Sequence, residues 1–350
     1  MELFENKGKT EIGELGEFGL IDHLTKNIRL NQPSTKKGAG DDAAVLDPLG
    51  KQVLISTDML LEGVHFDLSY TPLRHLGYKA IQVNLSDIYA MNAQATQVTV
   101  SFGFSSRFPL EAIEELYSGM VLACEHYNVD IVGGDTTSSR QGLVISVTSI
   151  GYADSHEIVY RSGAGEGDLI CVSGDLGGAY IGLQLLEREK QVFLENPNIQ
   201  PDLEGKDYIV ERQLKPEARK DIYDLLKSQQ IRPTAMIDIS DGLSSELIHI
   251  CRQSEKGCTI YEEKLPVDPM TYDTARQFGI DPTTAALNGG EDYELLFTIK
   301  QSDYEKIRNN PDISVIGHIT EKNAGLHMVS RSGNVHELKA QGWEAFKKQE

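Results

Sequence analysis

The sequence is poor in cysteine and in basic residues, and each shortage argues against a class of protein. Its four cysteines, Cys124, Cys171, Cys251 and Cys258, form no Cys-x-x-Cys pair, so they indicate neither a zinc site nor a disulfide framework. Buried thiols in a reducing compartment are the interpretation that we prefer. The 53 acidic residues outnumber the 33 basic ones and give a net charge of -20, which argues against a surface for nucleic acid or anionic membranes.

Long apolar runs and several enzyme motifs are also missing. No run approaches the roughly 20 apolar residues of a membrane span, and the opening residues, MELFENKGKTEIGE, lack the basic and apolar regions of a signal peptide. Gly8-Lys9-Thr10 resembles the end of a P-loop, but Leu3 stands where that motif needs glycine. The segment SGAGEG lacks the GxGxxG spacing, and no HExxH motif or Ser-His-Asp set stands out. We therefore expect a cytoplasmic protein without a catalytic nucleophile or acid–base residue.

The length and the apolar periodicity predict two domains of mixed structure. The 350 residues suffice for two cores, and 40% apolar with 25% charged residues is typical of globular proteins. Helical spacing marks residues 72–94 and the segment after Pro109, and alternation predicts a strand at 96–104. The composition becomes rich in glycine after residue 155. We predict an α/β or α+β fold, with mixed sheets covered by helices and domains at 1–155 and 156–350.

Five acidic segments share one pattern, in which an apolar run ends in small residues and carboxylates: GDDAA, ISTD, NLSD, VGGD and IDISDG. Carboxylates behind strands lie where open α/β sheets bind ligands, and hard divalent cations select oxygen ligands. Each Asp taken singly could be a turn or cap residue, and Asp241 is a credible helix N-cap. The repetition favours metal binding, with two or more Mg²⁺ ions.

Glycines, an arginine and a histidine accompany these carboxylates. The pairs Gly133–Gly134 and Gly289–Gly290 would let backbone approach a phosphate, or they form tight turns. Arg161 could bind phosphate through both ends of its guanidinium group, or lie on the surface. His65, beside Phe66, could recognise a polar heterocycle or be structural.

Seven motifs together resemble the thiamine-monophosphate kinases, which share a superfamily with aminoimidazole ribonucleotide synthetase and selenophosphate synthetase. They occur in that family's order and span most of the chain: GDDAA (40–44), STDMLLEGVHF (56–66), NLSDIYAM (84–91), GGDTT (133–137), RSGA (161–164), IDISDGL (237–243) and GGEDYELLF (289–297). The HF that follows STD and the GGEDYEL segment distinguish these kinases from their superfamily relatives.

The resemblance implies a function, an architecture and a role for each matching residue. The activity would be direct transfer of the ATP γ-phosphate to thiamine monophosphate, the last step of thiamine diphosphate biosynthesis. The fold would be a two-domain synthetase-like kinase fold, in which the N-terminal domain binds ATP and Mg²⁺ and forms a homodimer interface and the C-terminal domain closes over the active site. The implied Mg²⁺ ligands are Asp42, Ser56, Thr57, Asp58, Asp87, Asp135, Asp238 and Asp241. The implied nucleotide contacts are Gly134, Asp135, Arg161 and Ser240, and the implied thiamine-phosphate contacts are His65, Glu291 and Trp343.

Two departures from the family and two rival functions remain. Asn92 stands where relatives usually have glycine, and the loop at about 191–205 is longer than in many relatives, but neither touches an implied ligand. The nearest rival is another ATP-dependent enzyme of the superfamily with a different acceptor. The other is a non-catalytic protein whose Asp clusters bind Mg²⁺ or Ca²⁺.

Overall fold

The computed structural model describes residue 20, residues 23–37 and residues 44–341, which form two compact units. The first unit comprises the described residues up to Ile88 together with Ala93–His156, and the second comprises Tyr89–Asn92 and the described residues from Glu157 onward. Each unit contains helices and a mixed sheet, so the predicted α/β fold class is confirmed. Within the described residues, no helix combines the length and apolarity needed to cross a membrane.

The first unit is built on a four-stranded sheet with the order β3-β6-β4-β5. Strand β6 runs antiparallel to β3 and β4, and β4 runs parallel to β5. The elements are β1 (Thr35–Lys37), β2 (Val45–Leu46), β3 (Gln52–Leu61), α1 (Leu73–Ala90), β4 (Gln94–Phe104), α2 (Leu110–Tyr127), β5 (Asp130–Ser138) and β6 (Val144–Ala153). Helix α2 starts after Pro109 and ends at Asn128, which takes the left-handed conformation that closes many helices.

Helices α1 and α2 approach each other through glycine. A Cβ atom on Gly77 would lie 1.9 Å from the carbonyl oxygen of Leu116, and one on Gly119 would lie 1.9 Å from that of Arg74. Only residues without a side chain allow backbones to come this close. The contact fixes how α1 is held, and α1 carries the NLSD motif.

The second unit is built on a seven-stranded sheet with the order β13-β12-β9-β11-β7-β10-β8. Its strands are β7 (Leu169–Ser173), β8 (Ala235–Asp238), β9 (Gly257–Tyr261), β10 (Leu295–Ile299), β11 (Ile313–Thr320), β12 (Leu326–Val329) and β13 (Val335–Glu337). Its helices are α3 (Gly178–Glu195), α4 (Asp207–Leu214), α5 (Lys220–Ser228), α6 (Leu243–Ser254), α7 (Pro269–Gln277), α8 (Pro282–Asn288) and α9 (Tyr304–Ile307). Because β8 and β10 are antiparallel and Asp238 pairs with Leu295, the end of β8 meets the start of β10.

Caps and turns in the second unit follow local chemistry. Asp268 and Asp281 each accept a backbone N–H and are followed by proline at the first position of α7 and α8. Helix α3 continues to Glu195, so the loop that we expected at about 191–205 begins only at residue 196. Residues 196–206 contain neither helix nor strand.

Candidate active site

Strand β3 and helix α1 bring together three of the predicted metal ligands. The Ser56 hydroxyl donates a 2.5 Å hydrogen bond to Asp87 Oδ2. Asp58 lies two residues further along β3, on the same face as Ser56 because side chains alternate along a strand. Two carboxylates and one hydroxyl, whose oxygen atoms can all coordinate a metal ion, therefore converge in the first unit.

The electrostatics of this group favour binding of a cation. The Asp58 residue is exposed, but protein atoms surround much of its carboxyl group. This partial burial is the larger cause, and repulsion from Asp87 the smaller, of a rise in the pKa of Asp58 to about 6. Such a group gains from a cation that lies between the two carboxylates. Mg²⁺ is commonly held by one or two carboxylates, with water and substrate phosphate completing the octahedron.

Asn84 was not predicted as a site residue, yet it organises this group. The side chain is fully buried, and its Oδ1 accepts the Asp58 backbone N–H at 3.0 Å while its Nδ2 donates to the Ala80 carbonyl. Asn84 therefore fixes β3 against α1 at Asp58. Its place in the NLSD motif was the only sign in the sequence.

Thr57 does not join the group. It lies on the opposite face of β3, where its hydroxyl donates to the Val147 carbonyl and accepts from Thr148 of strand β6, both at 3.0 Å. The alternation along β3 thus separates the Thr57 side chain from those of Ser56 and Asp58.

The expectation that the carboxylates follow strand ends is wrong for Asp58 and Asp135, whereas Asp87 lies in the helix that the sequence predicted at 72–94. Strands β3 and β5 continue past Asp58 and Asp135, and Asp87 lies within α1. Strand β5 is at the sheet edge opposite β3, so two strands, or roughly 14 Å at ~4.8 Å per step, separate Asp135 from the Ser56 group. Asp135 is exposed and accepts the Thr136 N–H.

Gly134 has a packing role within the strand. A Cβ atom there would lie 1.8 Å from the Val100 carbonyl oxygen of β4, whereas one on Gly133 meets nothing nearer than Thr99 Cγ2 at 4.0 Å. The close approach of β4 and β5 thus leaves no room for a side chain at residue 134.

His65 lies in the turn after β3, where the backbone of that strand holds its ring. Its Nδ1 accepts the Leu61 N–H at 3.0 Å, so in the neutral ring the proton is on Nε2. The hydrogen bond from Leu61 thus fixes the position of the His65 ring within the turn.

Four predicted residues of the second unit lie where β8 ends and β10 begins: Asp238, Ser240, Asp241 and Glu291. Asp238 is buried at the end of β8, as the sequence pattern predicts. Beyond it, the Ser240 carbonyl accepts the Glu291 N–H at 2.7 Å, and the Ile239 carbonyl accepts the Tyr293 N–H at 2.9 Å. Two loops, residues 239–242 and 289–294, are therefore joined by backbone hydrogen bonds.

Asp241 is not the helix cap that its sequence context allows. Helix α6 is preceded by Gly242 and has no side-chain cap. Asp241 is exposed, and its backbone N–H donates a hydrogen bond of 2.9 Å to Glu246 Oε1. Burial, then the Asp241 charge, raises the pKa of Glu246 to about 7.

Charged neighbours surround Asp241. Partial burial and Glu291 raise its pKa, whereas His249 and Arg161 oppose that rise. Arg161 is exposed, and the loop after it is held by Ser254 of α6, whose hydroxyl accepts the Gly163 and Ala164 N–H groups at 3.1 Å. The structure thus places Arg161, Asp241 and Glu291 in one charged neighbourhood that also includes His249, which the sequence did not indicate.

Two predicted residues, Asp42 and Trp343, lie outside the described residues. Within residues 20, 23–37 and 44–341, no three Asp, Glu, His or Cys side chains are grouped closely enough to hold a metal ion alone. A pair such as Asp58 and Asp87 would need further oxygen ligands.

Comparison with known proteins agrees with this fold. Residues 40–153 match the family described as AIR synthase related protein, N-terminal domain. The chain is 35% identical over 335 residues to the thiamine-monophosphate kinase of Aquifex aeolicus, covering 95% of this chain and 99% of the relative. It is 32% identical to that of Bacillus subtilis, covering 95% and 100%. The solved structure of AaThiL complexed with AMPPCP and TMP is 34% identical, with a TM-score of 0.72 and coverage of 97% and 100%. The chain belongs to the thiamine-monophosphate kinase family.

Proposed function

We propose that this protein transfers the γ-phosphate of ATP to thiamine monophosphate, producing thiamine diphosphate and ADP. The observation that carries the proposal is the match, along 97% of the chain, to a solved structure complexed with AMPPCP and TMP. AMPPCP is an ATP analogue, so both proposed substrates correspond to ligands of that relative. The reaction is a phosphotransfer with a phosphate group as acceptor.

The first unit would hold the metal-bound phosphates. Asp58 and Asp87 are the proposed Mg²⁺ ligands, Ser56 orients Asp87, and Asn84 holds the backbone at Asp58. Bound Mg²⁺ would neutralise phosphate charge during transfer. Asp42, Thr57, Asp135, Asp238 and Asp241 stay proposed ligands of further ions.

The chemistry needs neither a general base nor a protein nucleophile. The acceptor is a phosphate monoester whose second pKa is about 6, so its attacking oxygen is already largely deprotonated at neutral pH. What the protein must supply is alignment of two anionic groups and relief of their repulsion. We therefore propose direct in-line transfer.

Other residues would bind the organic parts and the remaining phosphates. We propose that His65, Glu291 and Trp343 contact thiamine monophosphate. Gly134, Asp135, Arg161 and Ser240 are the proposed nucleotide contacts, with the constraint that Gly134 also serves strand pairing.

The open face of the first unit's sheet supports a homodimer. Val53, Ile55 and Met59 of β3 share one face and are 47%, 68% and 54% exposed, whereas Leu54 and Leu60 on the other face are buried. Exposed apolar patches of this kind mark protein contacts, and we propose a second copy of this chain as the partner.

The four cysteines are buried and free, which agrees with the proposed cytoplasmic location.

A transfer assay tests the function. Purified protein is incubated with ATP and Mg²⁺, and with thiamine monophosphate, free thiamine or no acceptor, and the products are separated by chromatography. We expect thiamine diphosphate and ADP in equal amounts, only with the monophosphate. ADP without thiamine diphosphate would point to another acceptor, and the absence of turnover would favour the cation-binding alternative.

A further inference from the structure

The loop that carries Glu291 has an unusual backbone. Gly290, Glu291 and Tyr293 have φ values of 71°, 60° and 52°. Side chains disfavour this left-handed region, and two such residues within three positions persist only where the surroundings hold them. A cause for this geometry must lie in the contacts of the loop.

The side chains of the loop alternate between the interior and the outside. Asp292 and Glu294 are 1% and 2% exposed, whereas Glu291 and Tyr293 are partly exposed. The two buried carboxylates thus alternate with Glu291 and Tyr293, the two residues with side chains that have positive φ. Burial of two neighbouring carboxylates requires a cationic partner.

Arg212 of α4 is a partner of both. Its Nη1 donates to Glu294 Oε1 at 2.9 Å, and its Nη2 lies 3.7 Å from Asp292 Oδ1. The same Nη2 donates to the Asp175 carbonyl at 2.9 Å. Arg219 and Ser173 complete the environment of Glu294 through Oε2.

Asp292 ties the loop to a helix as well. Its Oδ2 accepts the Gly177 N–H at 2.8 Å and its Oδ1 accepts the Ala179 N–H at 3.4 Å, both at the start of α3. A carboxylate at this position satisfies helix N–H groups and the positive end of the helix dipole. Arg212 therefore joins two segments, at Asp175 and at residues 292–294, through one guanidinium group, and Asp292 extends the link to α3.

We propose that Arg212 is a positioning residue for Glu291, and so for binding of the phosphate acceptor. It holds Asp292 and Glu294 inside, which forces the positive φ at Glu291 and presents the Glu291 side chain outward. This inference rests on the proposed function, because it assumes that Glu291 contacts thiamine monophosphate.

The test is the variant Arg212→Lys. Lysine keeps the positive charge but lacks the planar guanidinium group with its two terminal nitrogens. It therefore cannot bind Asp175, Asp292 and Glu294 together. We expect the KM for thiamine monophosphate to rise about tenfold, while the KM for ATP changes less than about twofold. Binding of thiamine monophosphate beside a non-hydrolysable ATP analogue, measured by calorimetry, should weaken in parallel.

A double variant separates positioning from a general loss of structure. If Arg212 acts through Glu291, Arg212→Lys combined with Glu291→Gln should bind thiamine monophosphate no more weakly than Glu291→Gln alone. Asp292→Asn, which keeps an acceptor for Gly177 but loses the ion pair with Arg212, should repeat the effect if the lysine variant does not fold.

Glu189→Gln is the matched control. Glu189 is also a buried carboxylate on α3, bonded to Arg188 and to the Asp202 N–H, but it lies 11 residues, or about 16 Å, along the helix from Gly178. We expect an unchanged KM for thiamine monophosphate.

The inference is overturned if the folded Arg212 and Asp292 variants match the control, or if the effects of Arg212→Lys and Glu291→Gln are additive. An unchanged KM in Glu291→Gln, with a raised KM in Arg212→Lys, would also overturn it. Failure of the wild-type protein to make thiamine diphosphate is a different result, which rejects the proposed function itself.

Discussion

The Ser56 hydroxyl on β3 and the Asp87 carboxylate on α1 are joined by a 2.5 Å hydrogen bond. The bond orients Asp87 beside Asp58, although the two carboxylates repel each other and the repulsion contributes to the raised pKa of Asp58. The protein thus holds two negative groups together before any cation is bound. Preorganisation of this kind lowers the cost of binding a metal.

Replacement of Asp87 should abolish most of the activity. We expect Asp87→Ala to lower kcat by about 10²-fold or more at saturating Mg²⁺, because a metal contributes several kcal/mol to stabilising transferred phosphate. Ser56→Ala, which removes only the orienting bond, should weaken Mg²⁺ binding about tenfold. Circular dichroism checks the fold, and near-normal turnover in soluble Asp87→Ala would exclude Asp87 from the site.

Mg²⁺ affinity should depend on pH through Asp58. Since the pKa of Asp58 is about 6, a proton competes with the cation below that value. The apparent Kd for Mg²⁺, measured by titration calorimetry, should rise as the pH falls from 7 to 5 and approach a tenfold change per pH unit below about 6. Without metal, the folded state holds this proton more tightly than the unfolded chain, so stability should decline as pH rises from about 4 to 6. Asp58→Asn should flatten both profiles.

The two neighbouring glycines of β5 should respond differently to alanine. Gly134→Ala places Cβ against the Val100 carbonyl, so we expect the free energy of unfolding to fall by about 1–3 kcal/mol. Gly133→Ala has room and should change stability by less than about 1 kcal/mol. Urea denaturation measures both, and equal losses would contradict the packing role of Gly134.

A charge on the open sheet face should break the proposed dimer. Val53→Asp buries a carboxylate in an apolar interface, so we expect a monomer by sedimentation analysis at a concentration where the wild type is a dimer. Ile199→Asp, at a similarly exposed apolar position of the second unit, is the control. A monomeric wild type would reject the dimer.

Phosphate transfer should leave no label on the protein. In a single turnover with γ-labelled ATP, the label should pass directly to thiamine diphosphate, because the acceptor oxygen needs no protein nucleophile. Recovery of a phospho-aspartyl or phospho-histidyl peptide would contradict direct transfer.

Long helices were predictable from the sequence, and strand ends were not. Helices α1 and α2 follow the apolar spacing, and α2 starts after Pro109 as expected. Polar and glycine residues suggested that strands end before Asp58 and Asp135, but pairing with β6 and β4 carries both strands onward. Eight-residue helix α4 was not predicted, since so short a segment shows little periodicity.

Motifs mark several residues of the site, but they do not show which distant side chains hold those residues in place. Asn84 acts on Asp58 from 26 residues away, and Arg212 acts on Glu294 from 82 residues away. Such pairs depend on tertiary packing, which apolar periodicity does not report. Nothing in the sequence around Arg212, a single arginine on a short helix, indicates its role.

The alternation of inward and outward side chains from Glu291 to Glu294 makes this segment sensitive to its length. Deletion of one residue there would exchange the inward and outward side chains. A side chain proposed to contact the substrate would then be buried against Arg212, and a buried carboxylate would face the solvent. Substitutions at single positions can be compensated by neighbours, but a shift of one place alters every position at once. We expect the segment to accept changes of residue type far more readily than any insertion or deletion.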